Sequence, residues 1–296
     1  MRAILNDPAG GFTARAITRD SNSDKARELK DIGAEVVEAD LHDAPSVERA
    51  FDGAYGAYCV TFFWAHMSPE KELAEATKLA NGAKHAGLKH VIWSTLEDTR
   101  KSIPLSDSRM PTLLGKYKVP HFDVKGEADA VFAAAGVPTS YMLASFYWEN
   151  FISFGQGPKQ SEDGSLTLSL PMRQTKLAGI AAEDIGKCAY GIFKKGTSLV
   201  GRRIGVAGDQ LTGDEMAEKF AKVLGRSVRY SAVPFDVYRS LGFPGADEMG
   251  NMYQFYAEFG EEVGGTRDVA VSRELNPELQ NFDTWLERNK DNIPLG

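Results

Sequence analysis

Ala54-Tyr55-Gly56-Ala57-Tyr58-Cys59-Val60-Thr61 is followed by Ser68-Pro69-Glu70, by Gly87 eighteen residues after Pro69, and then by His90-Val91-Ile92-Trp93-Ser94. The two apolar runs, rich in aromatic and β-branched residues, have the length of buried strands. What lies between them reads as a helix: a serine N-cap, proline at the first helical position, an acidic first turn and a closing glycine. A strand, a helix and a strand of these lengths make a βαβ unit, with the helix crossing the sheet once. The same rhythm extends in both directions. Strands are expected at Phe12–Thr18, Glu35–Ala39, Ala54–Thr61, His90–Ser94 and Pro138–Leu143, each ending where polar residues or glycine begin. The pattern predicts an α/β fold with a Rossmann-like, doubly wound parallel sheet over residues 1–150.

After Asn150 the rhythm changes. Residues 151–171 are rich in Gly, Ser and Gln and contain the alternating Leu166-Thr167-Leu168-Ser169-Leu170. A helix is expected over Ala181–Lys195 and a strand over Leu199–Ala207. Thr212-Gly213-Asp214-Glu215 is a capping-box signature for a helix running to Gly225. The segment Phe235–Glu287 reads as mainly helical. Residues 151–296 are therefore expected to form a smaller α+β lobe that makes a cleft with the first domain.

Composition narrows the function. With 41 acidic against 34 basic residues the formal charge is −7, without the basic excess of a nucleic-acid footprint. Cys59 and Cys188 lie in apolar surroundings and read as buried thiols, not as a disulfide or metal pair. No run of about 18 apolar residues and no signal-peptide core is present, so a soluble, cytoplasmic protein is expected. Histidines 42, 66, 85 and 90 show no metal-ligand spacing, and Trp93-Ser94-Thr95 lacks the glycines of a nucleophile elbow. No metal site and no serine hydrolase chemistry is expected.

A doubly wound dinucleotide fold begins with a buried strand and a glycine-rich turn that presents backbone N–H groups to the pyrophosphate. Met1–Asn6 reads instead as the end of the first helix, and Asp7-Pro8-Ala9-Gly10-Gly11 as the turn into the second strand. Either the protein is a shortened form or its start sits at an internal methionine. Both imply weakened cofactor binding. Arg19, after Phe12–Thr18, occupies the place where an acidic residue would bind a ribose 2′-hydroxyl. A guanidinium there suits a 2′-phosphate and favours NADP(H), and Lys25 in the next helical turn would assist. The alternative for Arg19 is a solvated strand-end arginine. Asp40, following Glu35–Ala39, is read either as an adenine contact or as a local cap.

Thr13–Asp20, Gly33–Asp40, Trp93-Ser94-Thr95-Leu96-Glu97, His121-Phe122-Asp123-Val124-Lys125-Gly126-Glu127 and Tyr147-Trp148-Glu149-Asn150-Phe151 follow one another in an order and spacing that resembles the NmrA-like family of atypical short-chain dehydrogenases. The resemblance implies a Rossmann-type domain binding NADP(H), a cleft, and either a redox-sensing regulator or a reductase of quinones or phenolic ethers. It also implies roles. Lys125 is the ribose contact and, with His121, the catalytic candidate. In active short-chain dehydrogenases a tyrosine stands four residues before the lysine; histidine stands there in this chain. Thr61 and Phe62 line the nicotinamide side, where relatives often carry asparagine after the threonine. Ser94 offers a hydroxyl near a substrate carbonyl, and Tyr147, Glu149 and Asn150 close over the nicotinamide. The expected reading is an NADP(H)-binding sensor that is non-catalytic or weakly catalytic. The alternatives are a reductase of a quinone or small carbonyl, and a truncated fold that binds no cofactor. Expected partners are the dinucleotide, a protein and a second copy of the chain, without direct nucleic-acid or membrane contact.

Overall fold

The computed structural model describes residues 1–161 and 163–295. Its strands are β1 (Arg15–Thr18), β2 (Glu35–Glu38), β3 (Gly56–Cys59), β4 (His90–Thr95), β5 (Thr139–Leu143), β6 (Phe146–Tyr147), β7 (Lys159–Gln160), β8 (Leu166–Leu170), β9 (Leu177–Ile180), β10 (Arg203–Gly205), β11 (Asp209–Leu211) and β12 (Val228–Ala232). With the helices between them they form the α/β, Rossmann-like architecture that the alternating pattern predicted. The chain divides into two compact units. One comprises Met1–Leu96, Val124–Met142 and Gly186–Arg203; the other comprises Glu97–Asp123, Leu143–Ile185 and Ile204–Gly296. The sequence suggested one boundary after Asn150, whereas the units interleave. One cause is the Ala182–Lys195 helix, whose Tyr190 and Phe193 rings pack edge-on or tilted against Phe12 in the first unit.

In the first unit β1 and β2 pair in parallel, Arg15 opposite Glu35, and form a two-stranded sheet of their own. A four-stranded sheet follows in the order β10-β5-β4-β3, with β3 and β4 parallel. Strand β4 is buried along its whole length, as expected of a strand covered on both faces. The helix Pro69–His85 lies beside it. Ser68 accepts a hydrogen bond from the Lys71 amide at its N-terminus, and Gly87 at φ 64° supplies the left-handed turn that ends it. This helix buries Ala76, Leu79, Ala80 and Ala83 in a core with Val47, Phe51, Trp93 and Phe132. The Trp93 and Phe132 rings stack at 4.8 Å. Small residues on the helix let it approach the sheet closely, and the large rings come from the other side.

The second unit holds two three-stranded sheets, β11-β9-β6 and β12-β8-β7, and most of the helical tail. Thr212 and Glu215 close the expected capping box on the helix Gly213–Leu224. A Cβ at Gly179 would come within 2.2 Å of the Trp148 indole nitrogen, so β9 accepts only glycine where the indole crosses it. Several strands are shorter than expected, and β3 keeps only Gly56–Cys59 of the Ala54–Thr61 run. The Leu199–Ala207 run yields only β10, because Gly201 turns left-handed at φ 77°. In Phe12–Thr18 the first residues leave the ladder, with the Phe12 ring among Tyr55, Tyr190 and Phe193.

Among the described residues no helix is long and apolar enough to cross a membrane. Both cysteines are buried, and burial pushes the Cys59 thiol up to about 12. At pH 8 Cys59 is therefore expected to resist a disulfide reagent in the native protein and to react once urea unfolds it. Rapid native labelling at Cys59, located by peptide mapping, would contradict this.

Candidate functional site

Lys125 lies on the helix Pro120–Ala135. Its ammonium donates to Thr61 Oγ1 at 2.7 Å and to the Thr61 carbonyl at 3.1 Å, and pairs with Glu72 Oε1 at 2.7 Å. Three donors thus meet three acceptors. The Thr61 hydroxyl in turn donates to Glu72 Oε1 at 2.6 Å, which closes a triangle of buried groups. Glu72 is fully buried, Thr61 is 3% exposed and Lys125 is 9% exposed. Burial pulls the Lys125 ammonium below the usual lysine value, and the Glu72 carboxylate opposes that pull. The Trp93 ring covers the ammonium at 5.2 Å. Lys125 is therefore held from within the first unit, where the resemblance offered it as a ribose contact and catalytic candidate.

Glu72 was not singled out in the sequence. It sits in the first turn of the Pro69–His85 helix, where a carboxylate is ordinarily read as complementing the helix dipole. Glu75, one turn on, shares its face. His66, from the loop after β3, brings Nε2 to 3.5 Å from Glu72 Oε2 and 3.7 Å from Glu75 Oε2. Histidine spacing alone gave no sign of this cluster, because two of its three members are carboxylates.

His121 stands one turn before Lys125 and belongs to the second unit. Its Nδ1 is 2.6 Å from Glu248 Oε1, and its backbone N–H donates to the same oxygen at 2.6 Å. A carboxylate at Nδ1 sets the tautomer of the ring. Asp123, two residues on, is fully buried and accepts from Thr99 N–H, Thr99 Oγ1, Lys118 N–H and Val119 N–H. These contacts fix the start of the helix that carries His121. Neither carboxylate was recognised in the sequence; Glu248 lies 127 residues away.

The remaining candidates fall into two groups. In the first unit, Arg19 and Lys25 are exposed, and neither has a side-chain partner among the described residues. Asp40 accepts the His42 N–H at 2.8 Å, the local-cap geometry. Phe62 is 60% exposed and so is not core packing, while Ser94 is 5% exposed and makes no side-chain hydrogen bond among the described residues. In the second unit, Tyr147 is 38% exposed. Glu149 accepts Trp285 Nε1 at 3.0 Å and the Ala182 N–H at 2.9 Å, which caps the Ala182–Lys195 helix. Asn150 opens a short helix, Asn150–Ser153. Lys125 and Thr61 are brought into direct contact; Glu149 is occupied by structural bonds.

The NmrA-like family model matches residues 1–286. A NmrA-like family domain-containing protein of Dictyostelium discoideum is 26% identical over 299 residues, covering 97% of this chain and 92% of that protein. The NmrA-like oxidoreductase FrzB of Cladobotryum sp is 29% identical over 316 residues, covering 97% and 84%. Among solved structures, the negative transcriptional regulator NmrA in complex with NADP matches with a TM-score of 0.77 at 22% identity, covering 97% of this chain and 90% of that one. NADPH-dependent quinone oxidoreductase QOR2 of Escherichia coli, complexed with NADPH, matches with a TM-score of 0.71 at 20% identity, covering 97% and 95%.

Proposed function

The chain belongs to the NmrA-like family, and from that premise we propose that it binds NADP(H) and acts as a redox sensor with little or no turnover. The observation that carries this reading is the pairing of His121 with Glu248 in the place where a reductase would hold its tyrosine acid. Lys125 adds to it, since all three of its donors are engaged by Thr61 and Glu72. A lysine so occupied is poorly placed to lower the pKa of a neighbouring proton donor. The dinucleotide would act by favouring one conformation of the protein, and a protein partner would read that conformation. Such a ligand shifts the equilibrium only by its difference in affinity for the two states.

The preference for a phosphorylated cofactor rests on Arg19, exposed at the end of β1 without a side-chain partner among the described residues. Titration of the protein with NADPH and NADH, followed by melting temperature and calorimetry, tests it, because a ligand of the folded state raises the apparent melting temperature. NADPH is expected to bind more tightly. Arg19→Ala should cost NADPH about tenfold in affinity, or about 1.4 kcal/mol, and leave NADH unchanged. Equal loss for both cofactors removes the 2′-phosphate reading. Binding of neither supports a fold without cofactor.

A second reading, a reductase of a quinone or small carbonyl, is favoured by the oxidoreductase names of several relatives. Hydride transfer to a quinone needs less proton donation from the protein, so the missing tyrosine weighs less against it.

A further inference from the structure

We propose that His66, Glu72 and Glu75 form a binding site for a divalent transition metal, of which zinc is the best match. Two buried polar atoms in the cluster, His66 Nε2 and Glu72 Oε2, have no hydrogen-bond partner among the described residues. The side chain of His66 is 10% exposed and that of Glu72 is fully buried. A buried, unpartnered carboxylate oxygen is costly unless something cationic meets it. The three candidate donor atoms all lie within 4.8 Å of one another.

The separations favour a shared ion over direct contact. A charge-assisted hydrogen bond would draw Nε2 to about 2.7–2.9 Å from a carboxylate oxygen. His66 Nε2 instead stands at 3.5 and 3.7 Å from Glu72 Oε2 and Glu75 Oε2. Zinc bonds to nitrogen and oxygen of about 2.1 Å in a tetrahedron put neighbouring ligands about 3.4 Å apart. The charge points the same way. Lys125 balances one of the two buried glutamates, and among the described residues the other, Glu75, has only the His42 and His66 imidazoles within ion-pair distance. His42 Nε2 lies 3.8 Å from Glu75 Oε1 with its side chain 62% exposed. A water would take the fourth position of the tetrahedron.

One local rearrangement goes with binding. The Ser68 amide donates to His66 Nδ1 at 3.0 Å, which places the hydrogen of the neutral ring on Nε2. Zinc takes the Nε2 lone pair, the ring hydrogen moves to Nδ1, and the Ser68 amide gives up its bond; no net proton is released. Glu72 offers its other oxygen to Lys125, so the ion and the ammonium share one bridging carboxylate.

The test is equilibrium dialysis of the chelator-stripped, full-length protein against micromolar zinc with magnesium in large excess, followed by metal analysis. Visible spectra with Co²⁺ in place of zinc report the geometry. One zinc per chain is expected, with the intense d–d bands of tetrahedral cobalt. Glu75→Gln and His66→Ala should each weaken binding at least a hundredfold, and circular dichroism should confirm that each variant is folded. If His66→Ala does not fold, the near-isosteric Glu75→Gln decides alone. Absence of stoichiometric zinc, or binding unchanged in a folded variant, overturns the proposal.

Discussion

Lys125→Met is expected to destabilise the protein by about 3–5 kcal/mol, the range for removing one partner of a buried ion pair. The methionine fills most of the space of the lysine stem, so the loss is electrostatic. Glu72 is left fully buried with only the Thr61 hydroxyl as donor. A fall in the urea midpoint at an unchanged slope would measure it. The double variant Lys125→Met with Glu72→Leu should recover most of the loss, because an apolar pair removes the stranded charge along with its partner. A single-variant loss under about 1 kcal/mol, typical of an exposed pair, would mean that Lys125 is not the internal cation described above.

Asp123→Ala is expected to cost a similar amount, about 3–5 kcal/mol, through a different mechanism. Three backbone N–H groups and one hydroxyl lose their acceptor at once, and each buried donor left unmet costs about 1–3 kcal/mol before relaxation. Asp123→Asn should recover only part of this, because its amide oxygen can accept while its NH₂ faces further donors. Urea unfolding measures the stability, and amide hydrogen exchange at Thr99, Lys118 and Val119 shows where it is lost. Unchanged protection at those amides would contradict the role assigned to Asp123.

The difference between what could and could not be read from the sequence follows from contact range. The βαβ rhythm, the Ser68 cap, the Thr212 capping box and the stops at Gly87 and Gly225 are local, and the structure has each of them. Lys125 and Thr61 could be named because each matched a motif position. Their shared partner Glu72 could not, since an acidic residue in a first helical turn already has an ordinary explanation. The partners Glu248 of His121 and Trp285 of Glu149 are 127 and 136 residues away, and no periodicity encodes such a pairing. Phe62 was read from the family pattern as lining the nicotinamide side, and only the fold shows that its ring is 60% exposed. The His66 cluster escaped notice because metal spacing was sought among histidines, whereas the helix supplies its donors as glutamates three residues apart.

The central claim, a dinucleotide-binding protein without a working proton donor, meets its most direct test in NADPH oxidation. Absorbance is followed with NADPH at a concentration shown by calorimetry to saturate the protein, across a panel of quinones and small carbonyl compounds. The account predicts bound NADPH and no consumption above the protein-free background. Steady turnover well above that background would contradict it and make the chain a reductase.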